Sequence, residues 1–251
     1  MKSDERRFFG LGTTQWLGVV VALFVAVAIW LLWVRPSLTL AYYRHSSVAA
    51  ARSGLSSQSE LVRVSAARGL GRRGKAASEA IPDLIVALQD DSPQVASGAA
   101  WALGGIMVAQ PGNSSPFQAQ AVTALLEALE HDDREVRRYA AYAFSQMKSA
   151  SQPAIPRLTE LLDDDHMAYM AARALGEIGP TAQGSVPKMA PLLTSSHAGE
   201  RAEAAIALSK LQPLPPEVVS DIKELLQDDV DFVRAAARKA LGTINSSGSG
   251  R

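Results

Sequence analysis

Cysteine is absent from the chain, which excludes disulfides, thiolate metal sites and cysteine nucleophiles but fixes no compartment. Histidine is scarce. The four present, His45, His131, His166 and His197, occur singly, with no pair at the i, i+4 spacing that places two imidazoles on one helix face. Charge of one sign is lacking as well: 25 basic residues face 25 acidic ones, and from residue 36 onward the balance is 21 against 23, so nothing attracts nucleic acid electrostatically. No glycine-rich phosphate loop, nucleophile elbow or coherent Ser/His/Asp set appears. The sequence therefore assigns no catalytic, cofactor-binding or metal-ligating residue, and it reads as a non-enzyme.

What is present is repetition. The phrase Ala66-Ala67-Arg68-Gly69-Leu70-Gly71 returns at Ala99–Gly104, Ala140–Ser145, Ala171–Gly176, Ala204–Ser209 and, more loosely, Ala237–Gly242. Its large apolar residues, at 70, 103, 144, 175, 208 and 241, are separated by 33, 41, 31, 33 and 33 residues, a period typical of stacked helix pairs. Pro82, Pro156 and Pro187 each follow that apolar residue by 12 positions and predict the first turn of a second helix, where the missing N–H costs nothing. In Leu55/Val62, Leu88/Val95, Leu129/Val136 and Leu226/Val233 a constant seven residues separates the end of one helix from the start of the next, so the turns between repeats are of nearly fixed length.

At 100° per residue Val136, Ala140 and Phe144 form one apolar stripe, with small alanines at its centre that permit close helix approach. Arg63, Arg137, Arg201 and Arg234 follow the first residue of the stripe, beside the acidic turns, and predict a structural ladder between repeats. Together the valine–arginine, paired alanine, alanine–leucine–glycine and alanine–isoleucine–proline elements resemble the HEAT repeat. They are most similar to the short HEAT-like type found in phycobilisome chromophore lyases. The resemblance covers residues 46 to 245 and implies an all-α solenoid of five to six helix pairs, over 47–245. It specifies function weakly, because such repeats serve scaffolds, adaptors and a few enzymes. The deoxyhypusine hydroxylases, a HEAT-like family that binds two irons through His-Glu dipeptides, are excluded because this chain has no such dipeptide.

Before the repeats, Trp16 to Val34 run without a charged side chain, and these 19 residues match the ~30 Å hydrocarbon core of a bilayer. Trp16, Trp30 and Trp33 sit where indoles prefer the interface, while Lys2, Arg6, Arg7 and Arg35 bracket the segment. The bulky Trp30–Val34 stretch and the length of the run disfavour a cleaved signal peptide. The expected organisation is a tail over 1–15, a transmembrane helix over 16–34, a juxtamembrane linker over 35–46, the repeats, and a flexible tail over 246–251. Basic residues flank the span equally, and their packing into the short N-terminal tail favours repeats on the non-cytoplasmic side of a single-pass protein. Gly18, Ala22 and Ala26 recur every four residues as a stripe suited to packing against another membrane helix.

Two deviations from the repeat single out candidate interaction residues. The long interval from Leu103 to Phe144 places its excess in 107–116, a protruding loop that carries Gln110 and Asn113. The position about 200° from the apolar stripe holds Trp101 and Tyr142 in consecutive repeats; Tyr169 points to nearly the same side, and Arg138 and Arg173 lie beside them. Exposed aromatics with neighbouring arginines have the composition of an interface hot spot. The expected function is a membrane-anchored scaffold or accessory subunit that docks a protein partner or membrane complex without a cofactor. The alternative, from the resemblance alone, is a lyase-like protein that holds a bilin and delivers the tetrapyrrole to an acceptor.

Overall fold

The computed structural model describes residues 13–30, 38–39, 41–43, 46–108 and 117–248. They form 13 α-helices joined by turns and short 3-10 segments, with no strand among the described residues. Helix α1 spans Thr13–Ile29 and α2 Val48–Gly54. There follow α3 (Glu60–Arg73), α4 (Ile81–Ala87), α5 (Pro93–Met107), α6 (Gln118–Ala128), α7 (Arg134–Met147), α8 (Ile155–Glu160), α9 (Ala168–Ile178), α10 (Val186–Met189), α11 (Ala198–Lys210), α12 (Pro216–Glu224) and α13 (Asp231–Gly248). The odd-numbered helices from α3 to α13 carry the repeated phrase and pack each against the next, forming one layer; α2 and the even-numbered helices form the other. The result is a helix-pair solenoid in which each repeat is stabilised by its neighbours.

The apolar stripe is the seam of this stack. Ala66, Ala67, Ala99, Ala100, Ala140, Ala141, Ala171, Ala172, Ala204 and Ala205 are all fully buried, as are Leu70, Leu103, Phe144, Leu175 and Leu208. Small residues are required where one first helix crosses the next. A Cβ placed on Gly104 would lie 2.7 Å from the Ala143 Cα, and one on Gly176 would lie 2.7 Å from the Ala207 Cα.

Three of the turns from first to second helix reuse one device. Four residues after the large apolar position the backbone enters positive φ, at Gly74 (52°), Lys148 (52°) and Gly179 (85°), and a 3-10 segment then leads to the helix opened by the expected proline. Lysine at 148 occupies a conformation that its Cβ disfavours. Lys148→Gly is expected to relieve that strain by more than glycine's extra chain entropy costs. The expected gain is ~1 kcal/mol, a rise of ~2–4 °C in Tm by differential scanning calorimetry.

The arginine ladder forms at two of its four expected rungs. Arg63 donates to Asp90 through Nε (2.7 Å) and Nη2 (2.9 Å) and to the Ser57 carbonyl, joining its own turn to the next. Arg201 repeats this with Asp228 (2.7 and 2.9 Å) and the Ser195 carbonyl. Arg137 instead serves only its own turn, through the His131 and Asp132 carbonyls (both 2.8 Å), and Arg234 bonds the Asp228 carbonyl and Asp231. For these two the expectation of a bridge between repeats is not met.

Both flanks of the stack also differ from expectation. Ser46 and Tyr43, assigned to a linker, are docked: Arg73 donates to the Tyr43 carbonyl (3.1 Å) and contacts that of Ser46, and Gly69 leaves room for the Tyr43 carbonyl. Helix α13 continues to Gly248, into the segment expected as a flexible tail. Its Arg238 stands exposed where the five preceding repeats bury alanine, which gives the last repeat a polar outer face.

The expected transmembrane span is not supported by the described helix. Helix α1 has 17 residues, about 26 Å at 1.5 Å per residue, and no helix among the described residues is long and apolar enough to cross a membrane. Its apolar side chains are not packed on the repeats, since Val21, Leu23, Phe24, Val25, Val27 and Ile29 are all more than half exposed. Gly18, Ala22 and Ala26 lie in α1, and the two alanines are exposed. Residues 31–37 of the expected span and linker lie outside the described residues.

Candidate functional site

The first-helix layer buries one stripe and turns its other face outward, and the aromatic and charged candidates gather there. Trp101 on α5 is half-buried rather than free. Its six-membered ring lies over Gly71 of α3, so close that a Cβ on Gly71 would stand 2.6 Å from Cζ3. Tyr142 on α7 is likewise half-buried, with the Arg173 guanidinium of α9 5.8 Å from its ring centroid. Tyr169, one turn before Arg173, is 37% exposed. Arg138 stacks on Tyr139 at 4.7 Å and donates to Glu135 (3.1 Å). Such cation–π contacts are worth about 0.5–1 kcal/mol at exposed sites and hold the guanidinium planes in place. Gln110 and Asn113 lie outside the described residues.

Two open cavities occupy this face. One of about 340 Å³ is lined by Arg68 and Arg72 of α3, Ser97, Gly98 and Trp101 of α5, and Tyr139 of α7. The other, about 390 Å³, lies over α9, α11 and α13, with Tyr169, Glu203, Ile206, Phe232 and Lys239 in its wall. Burial raises the Glu203 carboxyl above the ordinary range, against the opposing pull of Arg173, the Tyr169 hydroxyl and Lys210. Burial, with Glu203 adding to it, also raises the Tyr169 phenol. Phe232 is 55% exposed, a large apolar surface at the mouth of the second cavity.

The structure thus places Trp101 on α5, Arg138 and Tyr142 on α7, and Tyr169 and Arg173 on α9, and brings Arg173 against Tyr142. Sequence reasoning missed Arg72, Tyr139, Glu203 and Phe232. The signal for three of them lies in the repeat register: Arg72 stands four residues after Arg68, and Tyr139 and Glu203 each lie five before their repeat's large apolar residue. Among the described residues no three His, Asp or Glu side chains converge as metal ligands. The arrangement offers aromatic surface, guanidinium donors and two recesses, which suit recognition of another chain.

No curated protein sequence matches the chain. Solved structures do. An engineered protein superimposes with a TM-score of 0.62 at 26% identity, covering 80% of this chain and 99% of its own. The complex of CpcE and CpcF of phycocyanin lyase from Nostoc sp. PCC7120 gives 0.62 at 25% identity, over 80% of this chain and 77% of that one. A designed armadillo repeat protein in complex with the peptide (KR)4 gives 0.61 at 21% identity, over 80% and 100%, a likeness of fold. The HEAT-repeat pattern matches residues 48–116, 115–169 and 166–242, nearly the whole helical stack, and the chain belongs to the HEAT-repeat family.

Proposed function

We propose that this HEAT-repeat protein is a scaffold that docks a partner protein across the outward face of its first helices, with Trp101, Tyr142 and Tyr169 as apolar anchors and Arg138 and Arg173 as polar ones. The observation that carries this reading is the placement of aromatics on three adjacent repeats, Trp101 held over Gly71 and Tyr142 under the Arg173 guanidinium, flanked by two recesses. Pre-positioned rings lose little freedom on binding, which is what makes such residues efficient anchors. Gln110 and Asn113, on the loop that lengthens the second interval, extend the same role in the proposal. The apolar run Trp16–Val34 holds the scaffold at a membrane, and its Gly18, Ala22 and Ala26 stripe packs on a partner's membrane helix; the exposed apolar surface of α1 supports this part. Its repeats lie on the non-cytoplasmic side in this reading.

Affinity capture from detergent-solubilised membranes tests the docking face. Trp101→Ala with Tyr142→Ala is expected to lower partner recovery at least ~10-fold while the helical circular dichroism spectrum persists. Tyr169→Ala removes a more exposed ring and is expected to lower recovery with no change in melting. Unchanged recovery in both variants, or collapse of melting in Tyr169→Ala, rejects the face.

The lyase-like reading rests on one observation, the likeness to the phycocyanin lyase complex. Co-expression with a bilin tests it: a visible absorption band in the purified protein supports tetrapyrrole binding, and a colourless protein rejects it.

A further inference from the structure

The cations of the first-helix face are unequally employed. Arg138 is held by Glu135 and Tyr139, Arg173 lies against Tyr142, Lys210 pairs with Glu177 (2.6 Å), and Arg73 is tied to the Tyr43 carbonyl. Arg68 and Arg72 have no ion pair or hydrogen bond among the described residues. They stand one turn apart on α3, both exposed, and line the same cavity of about 340 Å³. No carboxylate is part of that wall; its other members are Ser97, Gly98, Trp101 and Tyr139.

Resting on the docking function proposed above, we infer that the Arg68–Arg72 pocket receives a carboxylate from an acidic segment of the partner, bound as an extended peptide that crosses the first helices. Two guanidiniums one turn apart grip a carboxylate through paired, charge-assisted hydrogen bonds. The Trp101 indole and the Tyr139 phenol form the wall beside them and offer apolar surface to the residues that flank the carboxylate. Three helices further along, the second cavity presents Tyr169, Ile206 and Phe232 to an apolar side chain. Adjacent packed helices lie ~9–10 Å apart, so the two pockets are separated by roughly 28 Å. An extended chain advances ~3.3 Å per residue, which places the acidic residue and the large apolar residue about eight positions apart in the peptide.

The test is selection of a displayed random 16-residue peptide library on the full chain in detergent micelles, run in parallel on Arg68→Gln/Arg72→Gln. The wild type is expected to enrich Asp or Glu with a large apolar residue about eight positions away, and the variant to lose the acidic enrichment. A fluorescent copy of the selected peptide is expected to bind the variant at least ~10-fold more weakly, and its Asp/Glu→Asn/Gln copy to bind the wild type equally weakly. A neutral or basic consensus, an acidic one indifferent to the two substitutions, or no selected peptide overturns the inference. So does dimerisation of the wild type that the double variant abolishes, since the occupant is then a second copy of this chain. Any of these results alongside partner recovery that still depends on Trp101 and Tyr142 sinks the acidic segment alone; recovery indifferent to both rings sinks the docking face itself.

Discussion

Arg201→Ala is expected to lower stability by ~2–3 kcal/mol, while Arg157→Ala, also the removal of an ion-paired arginine, lowers it by less than ~1 kcal/mol. The difference follows from burial. Arg201 and Asp228 retain 13% and 6% side-chain exposure, whereas Arg157 and its partner Glu130 retain 32% and 59%. Truncating Arg201 leaves a buried carboxylate without its two charge-assisted bonds and the Ser195 and Ser196 carbonyls without their donor. Truncating Arg157 leaves partners that water solvates. The pH dependence separates the two further. The Arg201 guanidinium, with the Val230 N–H, holds the Asp228 carboxyl well below the ordinary carboxylate range. A depressed native pKa means stability that is complete above the unfolded value, ~3.9, and is lost as pH falls towards the native one. The gap between wild type and Arg201→Ala is therefore expected to be widest at neutral pH and to narrow progressively below about pH 4, as measured by urea unfolding across pH 3 to 7. A gap that does not depend on pH would show that packing, not the ion pair, carries the effect.

The stack was legible in the sequence because stacking itself imposes the signal. Each first helix must cross its neighbours at fixed height, so Ala66/Ala67 and their counterparts recur in register, and the geometry shared by three of the second-helix turns calls for Pro82, Pro156 and Pro187. What depends on the neighbour rather than on the helix was not legible. Projection placed Trp101 outward, yet its ring is half-buried because Gly71, on another helix, vacates the space beneath it. Arg137 occupies the same register as Arg63 and Arg201 without bridging repeats: Asp164, the acid 27 residues on, accepts from the His166 N–H as Asp90 and Asp228 do from those of Ser92 and Val230, but takes no bond from Arg137, in an interval of 31 residues where Arg63 and Arg201 each stand in one of 33.

The docking face shows the same division. Aromatic composition pointed to Trp101, Tyr142 and Tyr169, since no other repeats carry rings at those positions. That Arg68 and Arg72 lack counter-ions among the described residues while Arg73 is fully engaged is a property of packing between repeats. Arg73 reaches back to Tyr43 and Ser46, which precede the first matched repeat. A sequence window around 68–73 shows three equivalent arginines; only the assembled stack separates the one that holds the flank from the two that face the open cavity.

Phe144→Ala is expected to have the largest effect of any single substitution in the repeats, ~3–5 kcal/mol. Phe144 is fully buried and stands first by volume among the wholly buried side chains, in α7, which packs between α5 and α9. The cavity left behind cannot be closed by local collapse, because the helices on both sides are already in contact through Gly104/Ala143 on one side and the alanines of α9 on the other. The loss falls at the middle of an array whose cooperativity passes from neighbour to neighbour. Weakening the central interface is thus expected to uncouple the halves as well as to lower stability. Urea unfolding of the variant should show two transitions, whereas Leu241→Ala, in the half-buried equivalent position of α13, should keep one transition at a slightly lower midpoint. Fluorescence of Trp101, Trp16, Trp30 and Trp33 reports only the amino-terminal half, and circular dichroism reports both, so the two probes should diverge in Phe144→Ala and coincide in the wild type. A single coincident transition in the variant would mean that coupling along the stack exceeds the strength of any one interface, and that the solenoid behaves as one cooperative unit.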